Sequence, residues 1–159
     1  MARRATRIRI DGPEAPELQV FVPGLPRAQP RPRMRVSRTG RFLGMNGRDD
    51  AITRCLAWRH AVALAAQAAW RRDLLEGPVN VELHFQFEHP PSHLRQDGSL
   101  RKRAPRHHTS RPDGENLSKA LCDALNGVIY RDDSQIVELR VTKSYGPEPG
   151  CLVIVQQHA

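Results

Sequence analysis

The run V-N-V-E-L-H-F-Q-F-E, from Val79 to Glu88, alternates apolar and polar side chains without a break. Successive side chains of a strand point to opposite faces. Val79, Val81, Leu83, Phe85 and Phe87 therefore share one face, and Asn80, Glu82, His84, Gln86 and Glu88 the other. A strand of this kind belongs in a sheet with one face packed on a helical layer and the other face wetter.

The flanking segments supply the rest of that architecture. Leu18 to Val22 reads as a first strand, ended by Pro23-Gly24. Asp49 or Asp50 is a good N-cap for a long helix to Leu75, with Ile52, Cys55, Leu56, Val62, Ala66, Ala69 and Trp70 near one face and Gly77-Pro78 as the stop. Trp58 and Trp70 read as core or interface anchors. A second helix starts near Pro112-Asp113, carries the apolar stripe Leu117, Leu121, Ala124, Leu125 and Val128, and stops at Asn126-Gly127. Gln135 to Lys143, with Val137, Leu139 and Val141 on one face, and Cys151 to Val155 read as a closing hairpin across the Gly146–Gly150 turn. At 159 residues the chain is one domain, large enough for a core without disulfide or metal staples. Residues 1–16 mix arginine with Gly12, Pro13 and Pro16 and read as a flexible extension, leaving 17–159 as the folded domain.

Charge narrows the partner. The net charge is +8 and the isoelectric point about 10.4, which points to a polyanion, nucleic acid before a membrane surface. No apolar run approaches the ~20 residues of a membrane span, and the opening M-A-R-R-A-T-R-I-R-I lacks the apolar core of a signal peptide. Cys55, Cys122 and Cys151 are widely spaced and odd in number, so they read as small core residues of a reduced, cytoplasmic protein. The basic excess is clustered. Residues 18–48 hold seven arginines and no acid, and P-R-A-Q-P-R-P-R-M-R-V has too many prolines for a helix. An extended ribbon carrying Arg31, Arg33 and Arg35 fits phosphate contact, with Ser37–Gly40 turning into a second strand. Pro90 to Arg111 has no periodicity and six Lys/Arg against one acid; Arg101, Lys102, Arg103 and Arg111 make it a candidate basic flap. His107-His108 reads as phosphate contact or plain loop.

Against this background, Thr109–Gln135 concentrates acids: Asp113, Glu115, Asp123, Asp132 and Asp133, with the single lysine Lys119. Glu115, Lys119 and Asp123 fall at i, i+4 and i+8 and share one helix face. Hard divalent cations such as Mg²⁺ take oxygen ligands from a few carboxylates and keep positions open for water and phosphate. In a polycationic chain the combination points to a metal-dependent phosphodiesterase, with Lys119 countering charge that develops on the phosphate. Spacing alone equally allows plain surface helix pairs and an ordinary polar turn.

The segment R-P-D-G-E-N-L-S-K-A-L-C-D-A-L-N-G-V-I-Y-R-D-D-S-Q-I-V resembles the RusA family of Holliday-junction resolvases, whose pattern is D-x-D-N-L-x-K, then D-A-L, then D-D-x-Q-V. V-P-G-L-P-R-A-Q-P-R-P-R resembles the family's proline- and arginine-rich opening and G-P-V-N-V-E-L-H-F-Q-F its long strand; the loop ending H-H-T-S-R-P-D resembles longer, phage-type members. The resemblance implies an α/β (α+β) fold, a small mixed β-sheet with two main helices, and a homodimer. It implies Mg²⁺ as cofactor, with Mn²⁺ as a substitute, bound by Asp113, Glu115 and Asp133, and Lys119 as the catalytic lysine. Asp132, adjoining the matched acid, is a secondary candidate. Asp123, within D-A-L, is another, read first as orienting Lys119. The family's second acid is usually aspartate, and Glu115 places its carboxylate one methylene further out. The implied activity is structure-selective nicking of branched DNA in recombination and repair. The alternative is a non-catalytic DNA-binding or regulatory protein on the same fold. A small-molecule metal hydrolase is disfavoured by the charge and by the lack of histidine ligand spacing.

Overall fold

A computed structural model describes residues 17–30, 33–46 and 49–158. The expected extension over residues 1–16 and the expected phosphate contact Arg31 lie outside them. The elements run β1 (Glu17–Pro23), β2 (Arg33–Val36), β3 (Phe42–Asn46), α1 (Asp49–Ala69), β4 (Val79–Phe87), α2 (Gly114–Leu125), β5 (Ile136–Tyr145) and β6 (Gly150–Gln157).

The alternating run forms β4, with its apolar side chains buried and its polar ones half-buried. It sits inside a four-stranded mixed sheet of order β1-β6-β4-β5, antiparallel to β6 and parallel to β5. A row of side chains crosses all four strands on the inner face: Val20, Val153, Leu83 and Val141. Helices α1 and α2 share one core with that face, through Cys55, Trp58, Val62 and Ala66 of α1 and Leu117, Leu121 and Leu125 of α2. Each large apolar side chain so buried contributes about 1.5–3 kcal/mol relative to exposure. On the opposite face, His84 Nδ1 lies 2.7 Å from Thr142 Oγ1, and Glu82 lies near both His84 and Arg140.

The mixed sheet, the two helices and the single domain agree with the expectation, but three local expectations change. The closing hairpin is absent: β5 and β6 lie on opposite sides of β4. The α2 crossover delivers β5 parallel to β4, and the Gly146–Pro149 turn carries the chain past the end of β4 to its free edge. Helix α1 ends at Ala69 rather than Leu75. Beyond it the chain is drawn off the helix axis, because Leu75 N–H donates to Ile129 O at 2.7 Å. On α1, Ile52 and Leu56 point to solvent, at 39% and 55% exposure. The buried stripe is set instead by Trp58, with Cys55 and Val62 at the spacings that meet it. All three cysteines are free and buried.

β2 and β3 form a separate two-stranded ribbon, its turn closed by Ser37 Oγ accepting from Arg41 N–H at 3.0 Å. The 90–111 segment is ordered: Leu94 bridges Leu100, and His107 bridges Ser144 at the outer edge of β5.

Candidate active site

Helix α2 starts where the chain leaves the flap, just after a cis Arg111–Pro112 peptide. Asp113 occupies its N-cap but makes no side-chain cap bond. Its Oδ1 accepts instead from Asn116 Nδ2 at 2.7 Å, so the carboxylate is held across the mouth of the helix and remains exposed. Glu115 follows in the first turn and Lys119 one turn later, both exposed.

The second acidic group precedes β5. Asp132 caps a short 3₁₀ turn (Asp133–Gln135), accepting from Ser134 N–H at 2.9 Å. Hydrogen bonds from Ser134, its side chain first and this N–H second, hold the Asp132 carboxyl below the usual carboxylate range. Asp133 lies inside the turn and is exposed. Its charge acts on Cys122 and Tyr130, which places it beside the C-terminal half of α2. Burial, aided by that charge, pushes the Cys122 thiol up to about 11, so it stays protonated and apolar.

Among the described residues, no three His, Cys, Asp or Glu side chains gather closely enough to surround a metal ion. The candidates therefore lie on two supports, Asp113 and Glu115 on α2 and Asp133 on the turn before β5. As a donor set they suit a hard cation, since they are exposed carboxylates and neither Asp113 nor Asp133 caps its own helix. Asp123 ion-pairs with Arg59 of α1 at 3.9 Å, which links the two helices.

Three residues that sequence reasoning passed over hold these supports, and His108, read there as phosphate contact or plain loop, holds the flap. Lys143 of β5 faces inward beside Phe85, and its ammonium donates to Ser110 O at 2.7 Å and Pro112 O at 2.6 Å. It thus grips the backbone directly ahead of Asp113. Burial pulls its pKa down, and the Asp113 charge works against that shift. Gln135 anchors the second group: its Nε2 donates to Leu75 O and Gly77 O, and its Oε1 accepts from Arg131 and Asp132 N–H. Gln29 N–H donates to Asn116 O at 3.0 Å, so the segment leading into the arginine ribbon docks on the first turn of α2. His108 stacks on Phe87 with ring centroids 4.0 Å apart, which makes it an anchor of the flap. Two signals were available for these roles: a polar strand side chain directed inward, as Lys143 is, and the Q of the D-D-x-Q-V pattern, which falls on Gln135.

Of the expected DNA contacts, Arg33 and Arg35 fall on β2, while Arg101, Lys102, Arg103 and Arg111 are exposed on the flap that ends at α2. No helix among the described residues is long and apolar enough to cross a membrane.

The model of the family described as Endodeoxyribonuclease RusA matches residues 23–156. The uncharacterized protein YqaN of Bacillus subtilis (strain 168) is 32% identical over 143 residues, spanning 88% of this chain and 96% of that protein.

Proposed function

This chain belongs to the RusA endodeoxyribonuclease family, and from that membership we propose that it is a Mg²⁺-dependent, structure-selective endonuclease. It resolves four-way DNA junctions by paired nicks in recombination and repair. One observation carries the site assignment: two aspartates sit at helix starts without capping them. Asp113 makes no cap bond, and Asp132 does the capping beside Asp133. Aspartate at an N-cap, the position of Asp113, ordinarily satisfies the helix N–H groups. Here those carboxylates stay exposed for another partner.

Asp113, Glu115 and Asp133 would hold the ion. Mg²⁺, or Mn²⁺ in its place, supplies charge neutralisation at the phosphate and activation of the attacking water. Lys119, one turn beyond Glu115 on α2, meets the negative charge that builds on the phosphate and leaving oxygen. Asp123 acts through Arg59 to fix α2 against α1, and Asp132 shapes the turn that presents Asp133. Arg33, Arg35, Arg101, Lys102, Arg103 and Arg111 follow the phosphate backbone. A homodimer with two-fold symmetry would place one site on each of two opposed junction strands.

The test is a synthetic four-way junction incubated with protein, with and without Mg²⁺, and the nicks mapped. Symmetric nicks that need the ion are expected. Asp113→Asn and Asp133→Asn should each abolish nicking while keeping binding, because each removes a ligand and no positive charge. Intact junction binding without cleavage under any divalent ion would instead establish a DNA-binding protein that has kept the fold.

A further inference from the structure

Away from the acid groups lies a cavity of about 720 Å³ between the flap and the ends of β4 and β5. Its walls include His89, Leu94, Leu100 and Tyr145, with Arg101, Arg106 and Glu88. We propose that this cavity receives an unstacked nucleobase from the DNA strand being cut. The inference rests on the endonuclease reading above and adds to it a site where the substrate is gripped by a base rather than by its phosphates.

The walls are held open before any ligand arrives. Leu94 and Leu100 are bridged across the flap, and Arg101 ties them together through N–H to His93 O and Nε to Leu94 O, both 2.9 Å. Tyr145 N–H donates to Arg106 O at 2.9 Å, and its ring is fixed by His89, stacked at 4.8 Å between centroids, and by His93 and His108, each at 5.0 Å; His89 also lines the cavity. The wall therefore carries a fixed aromatic pair, His89 and Tyr145, and base–aromatic stacking tolerates every base. Leu100 is 51% exposed although it is a large apolar side chain on a polar flap. A base lying in the cavity would cover that surface.

Charge and size select the same occupant. The flap carries six Lys/Arg against one acid, so whatever enters it is anionic or attached to an anion. A lining that is both apolar and arginine-rimmed fits a base with its phosphate outside. The volume falls in the ~300–1,000 Å³ range of pockets that enclose small organic groups. A base still stacked in a duplex cannot enter such a hollow, so the nucleotide must swing out, at a cost that is least where pairing is already broken. A branch point provides that place.

Position relates the cavity to the cut. Val141 lies against Gly114, at the mouth of α2, and Tyr145 is four residues further along β5. At about 3.3 Å per residue the separation is about 13 Å. At ~3.4 Å per stacked step this is within about four nucleotides of a phosphate at Asp113.

The experiment uses the full chain and a set of four-way junctions, each with a single abasic site one to four nucleotides on either side of the mapped nick. Binding and nicking are measured for the wild type, for Leu100→Glu and for Arg106→Gln, all changes at exposed side chains. One abasic position should weaken wild-type binding about 5- to 100-fold. Leu100→Glu should weaken binding to the intact junction similarly and be indifferent to that abasic site. Arg106→Gln should weaken binding and keep its sensitivity. Wild-type indifference at every position, with nicking intact, overturns this inference alone, and so does an equal loss in wild type and Leu100→Glu. Failure to bind any junction overturns the endonuclease reading and this inference with it.

Discussion

Lys143 shows how a side chain outside the acid groups can govern them. Its two carbonyl partners flank Arg111, directly ahead of Asp113, on a partly buried face of β5. Hydrogen bonds from a charged donor are worth about 1.5–3 kcal/mol each. Lys143→Met keeps the packing on Phe85 and loses both bonds, so urea denaturation should show a loss of about 2 kcal/mol, allowing for water at the exposed end. The mutant should also need more Mg²⁺ for half-maximal nicking, because the approach to Asp113 loosens. An unchanged Mg²⁺ requirement would reduce Lys143 to a structural brace. His108 gives a pH prediction. Burial first, and the Lys143 charge second, hold its pKa below the ordinary 6.5. Between that lowered value and 6.5 the unfolded chain binds a proton that the folded flap rejects, so stability rises with pH through this window. The contribution is complete above about 6.5 and is lost as pH falls toward the folded value. Going from pH 7.5 to 5.5, the wild type should lose more stability than His108→Phe, which keeps the ring on Phe87 but cannot titrate. Comparing the two cancels the other histidines near Tyr145, His89 and His93. Equal losses would remove His108 from the account.

The elements divide according to what local pattern can encode. β4 was fully legible, since its alternation is the burial pattern itself. α2 was legible from its stripe and from its stop at Asn126-Gly127. The pairing of β5 and β6 was not, because a short turn between two strands reads the same whether the strands pair or flank a third. The difference lies in β4, which offers both edges. The end of α1 was hidden for a related reason: it depends on Leu75 meeting Ile129, a contact 54 positions away in sequence. At the acid groups, residue types and spacing were visible, while Lys143 and Gln135, which position them, act on backbone far off in the chain. Gly150 tests the β1–β6 pairing. A Cβ there would lie 2.5 Å from Phe21 Cζ and 2.6 Å from Val22 O, and the second is backbone that cannot swing aside. Gly150→Ala should therefore cost about 1–3 kcal/mol by thermal or urea unfolding. A neutral result would mean that β1 can shift along β6.

Across the molecule, charge and symmetry combine into one measurable number. The excess of +8 is concentrated on the flap and on the arginine-rich segment, and the Gln29–Asn116 bond brings the approach to the latter beside the first turn of α2. Each phosphate neutralised on B-DNA releases counterions and adds about 0.9 to the slope of log affinity against log salt. Lys102 and Arg103 are exposed on the flap, so their replacement by alanine should leave folding and metal requirement intact. If one protomer grips the junction, Lys102→Ala with Arg103→Ala should flatten the slope by about 1.8. If a two-fold dimer sets both flaps on the DNA, the same pair of substitutions acts twice and the slope should flatten by about 3.6. The proposed paired nicks require the second outcome. Junction binding titrated between 50 and 200 mM salt, on wild type and double mutant, separates the two. An unchanged slope would mean that the flap does not hold phosphates at all, and the excess charge would then have to work through the arginine ribbon.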